Sequence, residues 1–330
     1  MTAHSGRSIW MRVVSLIAIG FGLMTIWEGG AVLFVDGAAR QAAGDYVPFV
    51  LWFNFLAGIA YIVAGVGLWM RRRWAAWLAI VITVATALVF LAFGVHVALG
   101  GAWERRTVVG MTLRTLVWAG IAAIAWRRSE HERLTREAKR IDLYRRQAGF
   151  PSDKRLEGFD YRHQTTITKR QINALLDFAF LDNRENLVFI GPPGVGKTHL
   201  SISIGQKAIE AGYRVLFRNA LDLVEELELA EMKGELKKTL HKLAKVDALV
   251  IDELGYLPMS RQARYALFQL INRFYEHRSL IITTNKDFTS WGEFFHDDNV
   301  AVPIVDRIIH HSHLYLLGGE SYRLKQKTLS

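Results

Sequence analysis

The sequence predicts two fold classes in one chain: an all-α N-terminal domain of four transmembrane helices, and a C-terminal α/β domain with a five-stranded, mostly parallel sheet. Three observations predict this arrangement. Four apolar runs of membrane length lie within the first 126 residues. After Pro151, short apolar runs alternate with longer amphipathic segments, as strands alternate with crossover helices. The first of these strands leads into a glycine-rich loop that ends in Lys197 and Thr198.

Composition and charge limit the classes of function. The 330 residues include no cysteine, which excludes disulfides and thiolate metal sites. Hydrophobic residues make up 51% of the chain, and they are concentrated in its first part. The net charge of +10 indicates nucleic acid or anionic lipid as a partner. Arginines at the cytoplasmic ends of membrane helices would give the same net charge, so charge alone does not choose between these partners.

The apolar runs predict a four-helix transmembrane domain over residues 1–126. Each run is close to the roughly 20 helical residues that cross a bilayer. The runs are Val13–Val35, Pro48–Met70, Trp74–Ala98 and Val108–Trp126. A cleaved signal peptide would account for the first run alone. A buried soluble bundle is the alternative, but so short a chain has little protein with which to cover four such helices.

The distribution of arginine predicts how the four spans are oriented. Arginines are concentrated before span one, between spans two and three, and after span four. They are Arg7, Arg12, Arg71, Arg72, Arg73, Arg127, Arg128, Arg133 and Arg136. The positive-inside rule then predicts a bacterial inner-membrane protein with both termini in the cytoplasm. Glu28 and Arg114 fall at similar depth in spans one and four, so we expect them to pair between helices.

Residues 127–150 form a charged connection between the two predicted domains. Leu134, Ala138 and Ile141 recur at helical spacing, so we expect a charged helix to continue from span four. Its charged side chains could face solvent, contact anionic lipid or contact nucleic acid. Contact with nucleic acid is not supported by any sequence motif that reads a DNA groove. The second domain is predicted over residues 151–330.

Five candidate strands lie in the second domain, and the segments between them are long enough to be crossover helices. The strands are Leu187–Ile190, Arg214–Arg218, Ala248–Ile251, Leu280–Thr283 and His313–Leu317. Polar side chains follow several of these strands directly. Because the carboxyl ends of parallel strands meet at one edge of a sheet, we expect these side chains to form a site there.

The loop after the first strand fits the pattern G-x-x-x-x-G-K-[ST]. The loop and the residue after it are Gly191, Pro192, Pro193, Gly194, Val195, Gly196, Lys197, Thr198 and His199. In this pattern the backbone N–H groups wrap phosphate oxygens, Lys197 reaches the β- and γ-phosphates, and the Thr198 hydroxyl binds Mg²⁺. A helix beginning near His199 adds its positive N-terminal end. The loop therefore predicts an ATP site; a chance glycine-rich turn is the alternative.

Two acidic residues follow the third candidate strand. Asp252 is placed to hold Mg²⁺, directly or through water, and Glu253 is placed to activate the attacking water. An apolar strand that ends in Asp-Glu is common, so this pair is a weak signal by itself. The glycine-rich loop described above is a P-loop. When an Asp-Glu pair follows a P-loop by about sixty residues, it is a strong signal for an ATPase site.

Two further residues are candidates for the same chemistry. Asn285 follows the fourth strand and would place an amide beside the water and the γ-phosphate, although asparagine is also an ordinary turn residue. Arg307 follows Asp306, and an arginine at a subunit edge can reach the γ-phosphate bound by a neighbour. A local salt bridge is the alternative for Arg307, and the residues alone do not separate the two.

Several motifs together resemble the IstB transposition-helper ATPases, which are related to the DnaC-like helicase loaders of the AAA+ superfamily. The resemblance extends over roughly Leu156 to Lys327. The motifs are GPPGVGKTHL from Gly191, DELGYLP from Asp252, WGE from Trp291, DRIIHHSH from Asp306 and GESYRLK from Gly319. The resemblance implies an AAA+ sheet of order 5-1-4-3-2. It also implies ATP-dependent self-assembly on double-stranded DNA and a role in helping a transposase use its target.

The resemblance also assigns roles by position. Lys197 and Thr198 match the Walker A pair. Asp252 and Glu253 match the Walker B pair, and Asn285 matches the family's first polar sensor. The arginine finger of the family falls on the second residue of DRIIHHSH, which is Arg307 here. These correspondences imply ATP and Mg²⁺ as cofactors.

Two departures from the family pattern matter. Four membrane spans occupy the place of the family's soluble helical domain. No helical lid follows the sheet, so a second sensor role for Arg323 does not follow. The cluster of His310, His311 and His313 resembles a metal site, but it belongs to the family pattern and has no acidic partners nearby in sequence.

Three interpretations follow from the sequence. The first is a membrane-tethered, ATP-hydrolysing helper of DNA transposition, with helicase loading as a variant of the same class. The second is a membrane sensor or interaction protein that uses the ATPase as a nucleotide switch. The third is a fusion in which the ATPase has lost its DNA and transposase partners.

Overall fold

The computed structural model describes residues 3–35, 37, 41, 46–255, 259–291, 298–322 and 324–325. The chain divides into two compact units, Met1–Arg136 and Glu137–Ser330. This division lies within the charged connection predicted over residues 127–150. Parts of three motifs (Tyr256–Pro258, Gly292–Glu293 and Arg323) lie outside the described residues.

Four long helices account for the apolar N-terminal part of the chain. They are α1 (Ala3–Phe34), α2 (Pro48–Trp69), α3 (Arg73–Ala98) and α4 (Arg105–Ala148). All four are long and apolar enough to cross a membrane, by length and composition. The charged helix predicted to continue from the fourth apolar run is confirmed, since α4 ends only at Ala148.

The first unit has a small aromatic core and an apolar exterior. Tyr61 is fully buried, with the Trp118 ring 4.5 Å away and the Phe21 ring 6.0 Å away, between centroids. Large apolar side chains are exposed along every helix. They include Leu16, Ile17, Leu23, Leu56, Ile59, Val81, Leu88, Leu91, Leu113 and Leu116. An exterior of this kind is unfavourable in water and favourable in lipid.

The pairing expected between Glu28 and Arg114 is not a direct ion pair, although the two charges attract each other through space. Glu28 is exposed on α1 and Arg114 is half-buried on α4. Within the described residues, no ion pair at an N···O distance of 4.0 Å or less joins the two side chains. Equal depth along two helices places side chains at one level, but the rotation of each helix decides which neighbour they face.

Glycines allow α1 and α2 to pack closely. A Cβ atom added at Gly65 would lie 2.6 Å from the Ile19 side chain and 3.0 Å from the backbone oxygen of Ser15. A Cβ atom at Gly58 would lie 2.7 Å from the Ile26 side chain. Such small-residue contacts are typical of helices that associate in lipid, where dispersion and not the hydrophobic effect drives packing.

The second unit is built on one parallel sheet with helices on both faces. Its strands are β1 (Asn186–Ile190), β2 (Val215–Asn219), β3 (Ala248–Asp252), β4 (Ser279–Thr284) and β5 (Ser312–Leu316). Its helices are α5 (Lys169–Ala174), α6 (Ala179–Asp182), α7 (Lys197–Glu210), α8 (Ala220–Met232), α9 (Leu236–Leu243), α10 (Arg261–Phe274) and α11 (Asp298–His310).

The strand order is β2-β3-β4-β1-β5, and every pairing is parallel. This is the predicted order 5-1-4-3-2 read from the other edge, so the prediction is confirmed. The register pairs Ile190 with Thr284 and Asn219 with Asp252. These pairings bring the polar residues that end or follow each strand to one edge of the sheet.

Alternate residues of the central strands enter two separate cores. Val188 and Leu249 contribute to the core that includes α8, α9, α10 and α11. Phe189 and Val250 contribute to the core that includes α7 and the segment before β1. All residues of β1, β3 and β4 are buried, as expected of strands covered on both faces.

We predict that Gly65→Leu destabilises the first unit by about 1–3 kcal/mol, because the new side chain meets the backbone of α1. Gly94→Leu on α3 is the matched control, since an added Cβ atom there has no neighbour within 4 Å. Thermal unfolding of the full chain in detergent, followed by circular dichroism, compares the two. Equal midpoints for both variants would contradict close packing at Gly65.

Candidate functional site

The loop between β1 and α7 has a backbone that favours glycine. Gly194 and Gly196 have φ angles of +84° and +100°, in the left-handed region. A Cβ atom added at Gly196 would also lie 2.6 Å from the Phe159 ring. Gly196 is the N-cap of α7, so the free N–H groups of a 14-residue helix open onto the loop. Such a terminus binds anions, and phosphate above all.

Lys197 is buried at the start of α7. Its Nζ donates hydrogen bonds to the carbonyl oxygens of Gly191, at 2.7 Å, and Pro192, at 2.8 Å. The loop therefore wraps around the side chain of a residue that is only 7% exposed. A buried lysine at the N-terminus of a helix, where N–H groups are free, is a site for a highly charged anion.

Asp252 links three elements beside this loop. The Thr198 hydroxyl on α7 donates to Asp252 Oδ1 at 2.9 Å and to Oδ2 at 3.1 Å. The Thr283 hydroxyl on β4 donates to Oδ1 at 2.6 Å. Burial is the main reason that the pKa of Asp252 is raised; these two hydrogen bonds partly offset it. A carboxylate and a hydroxyl in contact are hard oxygen ligands, and they fit Mg²⁺.

Glu253 is held in an unusual backbone conformation next to Asp252. Its φ angle is +62°, and its N–H donates to the Thr283 hydroxyl at 2.9 Å. Its Oε2 accepts a hydrogen bond from the Asn219 amide at 3.3 Å. Left-handed backbone at a residue other than glycine is uncommon, and it directs the carboxylate away from the line of β3.

A cleft of about 550 Å³ connects the loop to the segment before β1. Pro193 to His199 and Glu253 line one part of it. Aromatic side chains line the other, where the Phe159 ring lies 5.4 Å from His199, and His163 lies 5.4 Å from Tyr322. The volume is that of a small-ligand pocket, and flat rings beside a phosphate loop suit a nucleotide base.

The segment after β5 closes over the same loop. The N–H of Tyr322 donates to the Gly194 carbonyl at 3.0 Å. Gln164, buried before β1, donates to the carbonyls of Gly318 and Val195 at 3.0 and 3.3 Å. A Cβ atom added at Gly194 would meet Ser321. Strand periodicity gave no sign of these contacts, because they join irregular segments that lie 31 or more residues apart in the chain.

Asn285 lies beside the loop but does not line the cleft. It follows Thr284, whose carbonyl accepts a hydrogen bond from the Gly191 N–H at 3.1 Å. The Asn285 Oδ1 atom is buried and has no hydrogen-bond partner among the described residues. A buried amide oxygen without a partner is costly, and functional sites are where such groups are found.

Arg307 lies apart from the cleft, on α11. Its Nη1 donates to the Pro303 carbonyl at 3.0 Å, and its guanidinium lies 5.3 Å from the centroid of the Phe268 ring. It is not among the residues that line the cleft of its own chain. The local salt bridge with Asp306 is not present among the described ion pairs at N···O distances up to 4.0 Å.

The histidine cluster does not form a metal site in the described part of the chain. No group of three or more histidine, cysteine or acidic side chains there could hold a metal ion. His310 Nδ1 is hydrogen-bonded to the Tyr275 hydroxyl at 3.0 Å, and His313 Nε2 contacts Glu185 at 2.8 Å. His310 therefore contacts Tyr275 at the end of α11, whereas His313 lies on β5 and contacts Glu185.

Asn219 is the site residue that sequence reasoning missed. It ends β2, pairs in register with Asp252, and contacts Glu253 through its amide. The same side chain caps α8 by accepting a hydrogen bond from the N–H of Leu221 at 3.0 Å. The signal was present in the sequence, since Asn219 follows an apolar strand in the same way that Asn285 does.

Comparisons with known proteins agree with this geometry. The profile of the family described as IstB-like ATP binding protein matches residues 127–330. The ATP-binding protein of insertion sequence IS5376 from Geobacillus stearothermophilus is 43% identical over 200 residues, which are 61% of this chain and 80% of the relative. The ATP-binding protein of insertion sequence IS21 from Pseudomonas aeruginosa is 45% identical over 182 residues, 55% of this chain and 69% of the relative.

Among solved structures, the crystal structure of the DnaC helicase loader matches 45% of this chain and 86% of its own, with a TM-score of 0.38 and 24% identity. The family profile covers the whole α/β unit, including the phosphate loop and the acidic residues that follow β3. The chain therefore belongs to the family of IstB-like ATP-binding proteins.

Proposed function

We propose that this chain is an ATP-hydrolysing helper of DNA transposition that is tethered to a membrane and acts on double-stranded DNA with a transposase. The proposed hydrolysis of ATP rests on the contact between Thr198 and Asp252. Glu253 is the next residue in the chain and lies beside the loop that contains Lys197. The phosphate loop, Thr198 and the candidate base Glu253 line one cleft, and Asp252 is hydrogen-bonded to Thr198 directly behind it.

In the proposed reaction, the loop N–H groups and Lys197 hold the β- and γ-phosphates of ATP. Thr198 and Asp252 would hold Mg²⁺, and the ion would supply positive charge against the charge that develops on the phosphate oxygens. The Glu253 carboxylate accepts a proton from the attacking water, and Asn219 restrains that carboxylate. The Asn285 amide, which is buried beside the loop and does not line the cleft, would have to turn toward the cleft to contact the water or the γ-phosphate.

Arg307 is proposed to act on ATP bound by a neighbouring copy, which requires self-association of the ATPase units. Its guanidinium would have to leave the Phe268 ring and the Pro303 carbonyl. A cation–π contact and one carbonyl hydrogen bond are worth on the order of 1–2 kcal/mol together. The contacts to a γ-phosphate would exceed this, so the rearrangement is energetically accessible.

A basic groove supports contact with DNA. Lys245 lies three residues before β3 and Arg278 lies one residue before β4, so the groove is at the amino end of the sheet, opposite the nucleotide cleft. Its volume is about 950 Å³. Its basic residues are Arg184, His241, Lys245, Arg273, His277 and Arg278. No acidic residue is among the described side chains that line it, so the groove is a site of positive potential that suits a phosphate backbone.

The membrane placement is supported by the four long apolar helices and their exposed apolar side chains. The arginine distribution supports the proposed orientation, with both termini in the cytoplasm of a bacterial cell. In this orientation the ATPase unit is in the compartment that contains ATP and DNA.

We predict that Lys197→Ala abolishes ATP binding, whereas Glu253→Gln retains ATP binding and lowers hydrolysis by about 10²–10⁴-fold. Lys207→Ala, on the exposed side of the same helix, is the matched control and keeps both activities. Binding and hydrolysis are measured on the detergent-solubilised chain, with and without double-stranded DNA. Full hydrolysis by the Glu253 variant would exclude Glu253 as the base.

The response to DNA tests a second point. ATP binding by the wild-type chain with no response to DNA would favour a nucleotide switch.

We predict that Arg307→Ala binds ATP normally but hydrolyses it about 10³-fold more slowly or worse. Mixing it with Glu253→Gln is the decisive test, because an Arg307→Ala subunit keeps its own Glu253 and can receive Arg307 from the partner variant. The mixture is expected to hydrolyse ATP faster than the sum of the two variants alone. No gain on mixing would contradict action between subunits.

We predict that Lys245→Glu/Arg273→Glu weakens DNA binding more than tenfold at about 100 mM salt, and flattens the plot of log affinity against log salt by about two units. Both residues are exposed in the basic groove. Lys233→Glu/Lys237→Glu makes the same change in charge at exposed positions outside the groove. Filter binding over a salt series compares them, and equal losses for both pairs would exclude the groove as the DNA site.

A further inference from the structure

A second basic concavity lies in the unit Met1–Arg136, at the end of α2, the start of α3 and the middle of α4, on the side of the spans proposed to face the cytoplasm. Its volume is about 280 Å³. Three of its arginines come from the turn between α2 and α3, and three come from α4. These are Arg71, Arg72, Arg73, Arg128, Arg133 and Arg136. Two walls of arginine therefore border one small space.

Acidic side chains neutralise only part of this charge. Glu132 contacts Arg128 at 3.1 Å and Arg136 at 3.5 Å, and Glu130 contacts Arg133 at 3.9 Å. These pairs lie within one helix and are largely exposed, so they are weak. Among the described side chains that line the concavity, six are arginine and two are glutamate, an excess of four positive charges. The site therefore favours an anion.

The turn that carries the first arginine wall is ordered by backbone hydrogen bonds. Arg71 has a φ angle of +55°, and its N–H donates to the Leu68 carbonyl at 3.1 Å. The N–H of Arg72 donates to the Gly67 carbonyl at 2.9 Å. Three consecutive arginines are thus fixed at the end of α2, where the chain reverses into α3.

The rest of the lining is apolar and aromatic. Trp77 and Trp126 meet edge to face, with 5.2 Å between ring centroids, and both rings are partly exposed. Met11 and Leu68 complete this part of the lining. Tryptophan is typical of the level at which lipid headgroups meet acyl chains. Arginine next to tryptophan matches a molecule with a phosphate at one end and hydrocarbon at the other.

We propose that this concavity binds the headgroup of an anionic phospholipid. The arginine forks hold the phosphodiester, and the glycerol and the first carbons of the acyl chains lie against Trp77 and Trp126. This inference rests on the proposed membrane placement of the first unit. A nucleic acid fits less well, because the space is small and two tryptophans and the apolar surface of the helices continue from it.

The test measures lipid binding to the full chain by native mass spectrometry after exchange into detergent. Phosphatidylglycerol is titrated against phosphatidylcholine with the same acyl chains. We expect preferential binding of phosphatidylglycerol. Arg72→Gln/Arg133→Gln removes one arginine from each wall and is expected to weaken that binding about 10–30-fold. Each basic residue near an anionic lipid surface contributes a similar share of the binding free energy. Binding of phosphatidylcholine is expected to stay unchanged, which reports that the variant is folded.

Arg12→Gln/Arg127→Gln is the matched control, because it removes two exposed arginines from the same end of the helices but outside the concavity. The proposal is overturned if both pairs weaken binding equally, or if the two lipids bind equally well. Displacement of the lipid by millimolar glycerol 3-phosphate would show a site for free phosphate esters instead. Loss of DNA binding by Arg72→Gln/Arg133→Gln, with lipid binding intact, would assign the site to nucleic acid.

Failure of the membrane placement itself is detected separately. Carbonate extraction of cell membranes releases peripheral proteins and leaves integral ones behind. Release of the chain would remove the proposed tether together with the lipid site. Retention in the membrane with no lipid preference would remove the lipid site alone.

Discussion

The site depends on one buried carboxylate. Asp252 accepts hydrogen bonds from Thr198 at the start of α7 and from Thr283 on β4, so a single side chain at the end of β3 fixes three elements relative to one another. Burial raises the pKa of Asp252, which means that the folded chain carries an unfavourable charge there. A cation would relieve that cost, and the neighbouring loop presents N–H groups and Lys197 for the phosphates that accompany it. Stability and ligand binding therefore oppose each other at this position, as is common in functional sites.

The two units pack their apolar side chains in different ways. The sheet of the second unit is covered on both faces, so its central strands are buried throughout and its surface is charged. The helices of the first unit expose large apolar side chains and bring α1 and α2 together through glycine. These are the packing rules of water and of lipid respectively. Basic surfaces occur in both units, but the one in the first unit is bordered by tryptophan, whereas the groove in the second unit is bordered by polar side chains.

Much of the site could be predicted from strand ends. Lys197, Thr198, Asp252 and Glu253 occupy fixed offsets from apolar strands, and parallel strands must deliver those offsets to one edge. Asn219 could have been found by the same rule. Phe159, Gln164 and Tyr322 could not, because they come from irregular segments on either side of the core, and only packing against the loop brings them to the cleft.

The sequence by itself determined the two classes of structure, the strand order through family resemblance, and the phosphate loop, because these depend on periodicity and on residues close together in the chain. Tertiary structure alone decided which polar groups meet across the fold. It kept Glu28 and Arg114 out of direct contact, packed Arg307 against Phe268, and placed arginines from a turn and from α4 around one concavity. The rotation of each helix and the path of each loop set these contacts. Neither leaves a periodic signal in the sequence, since both follow from packing between distant segments.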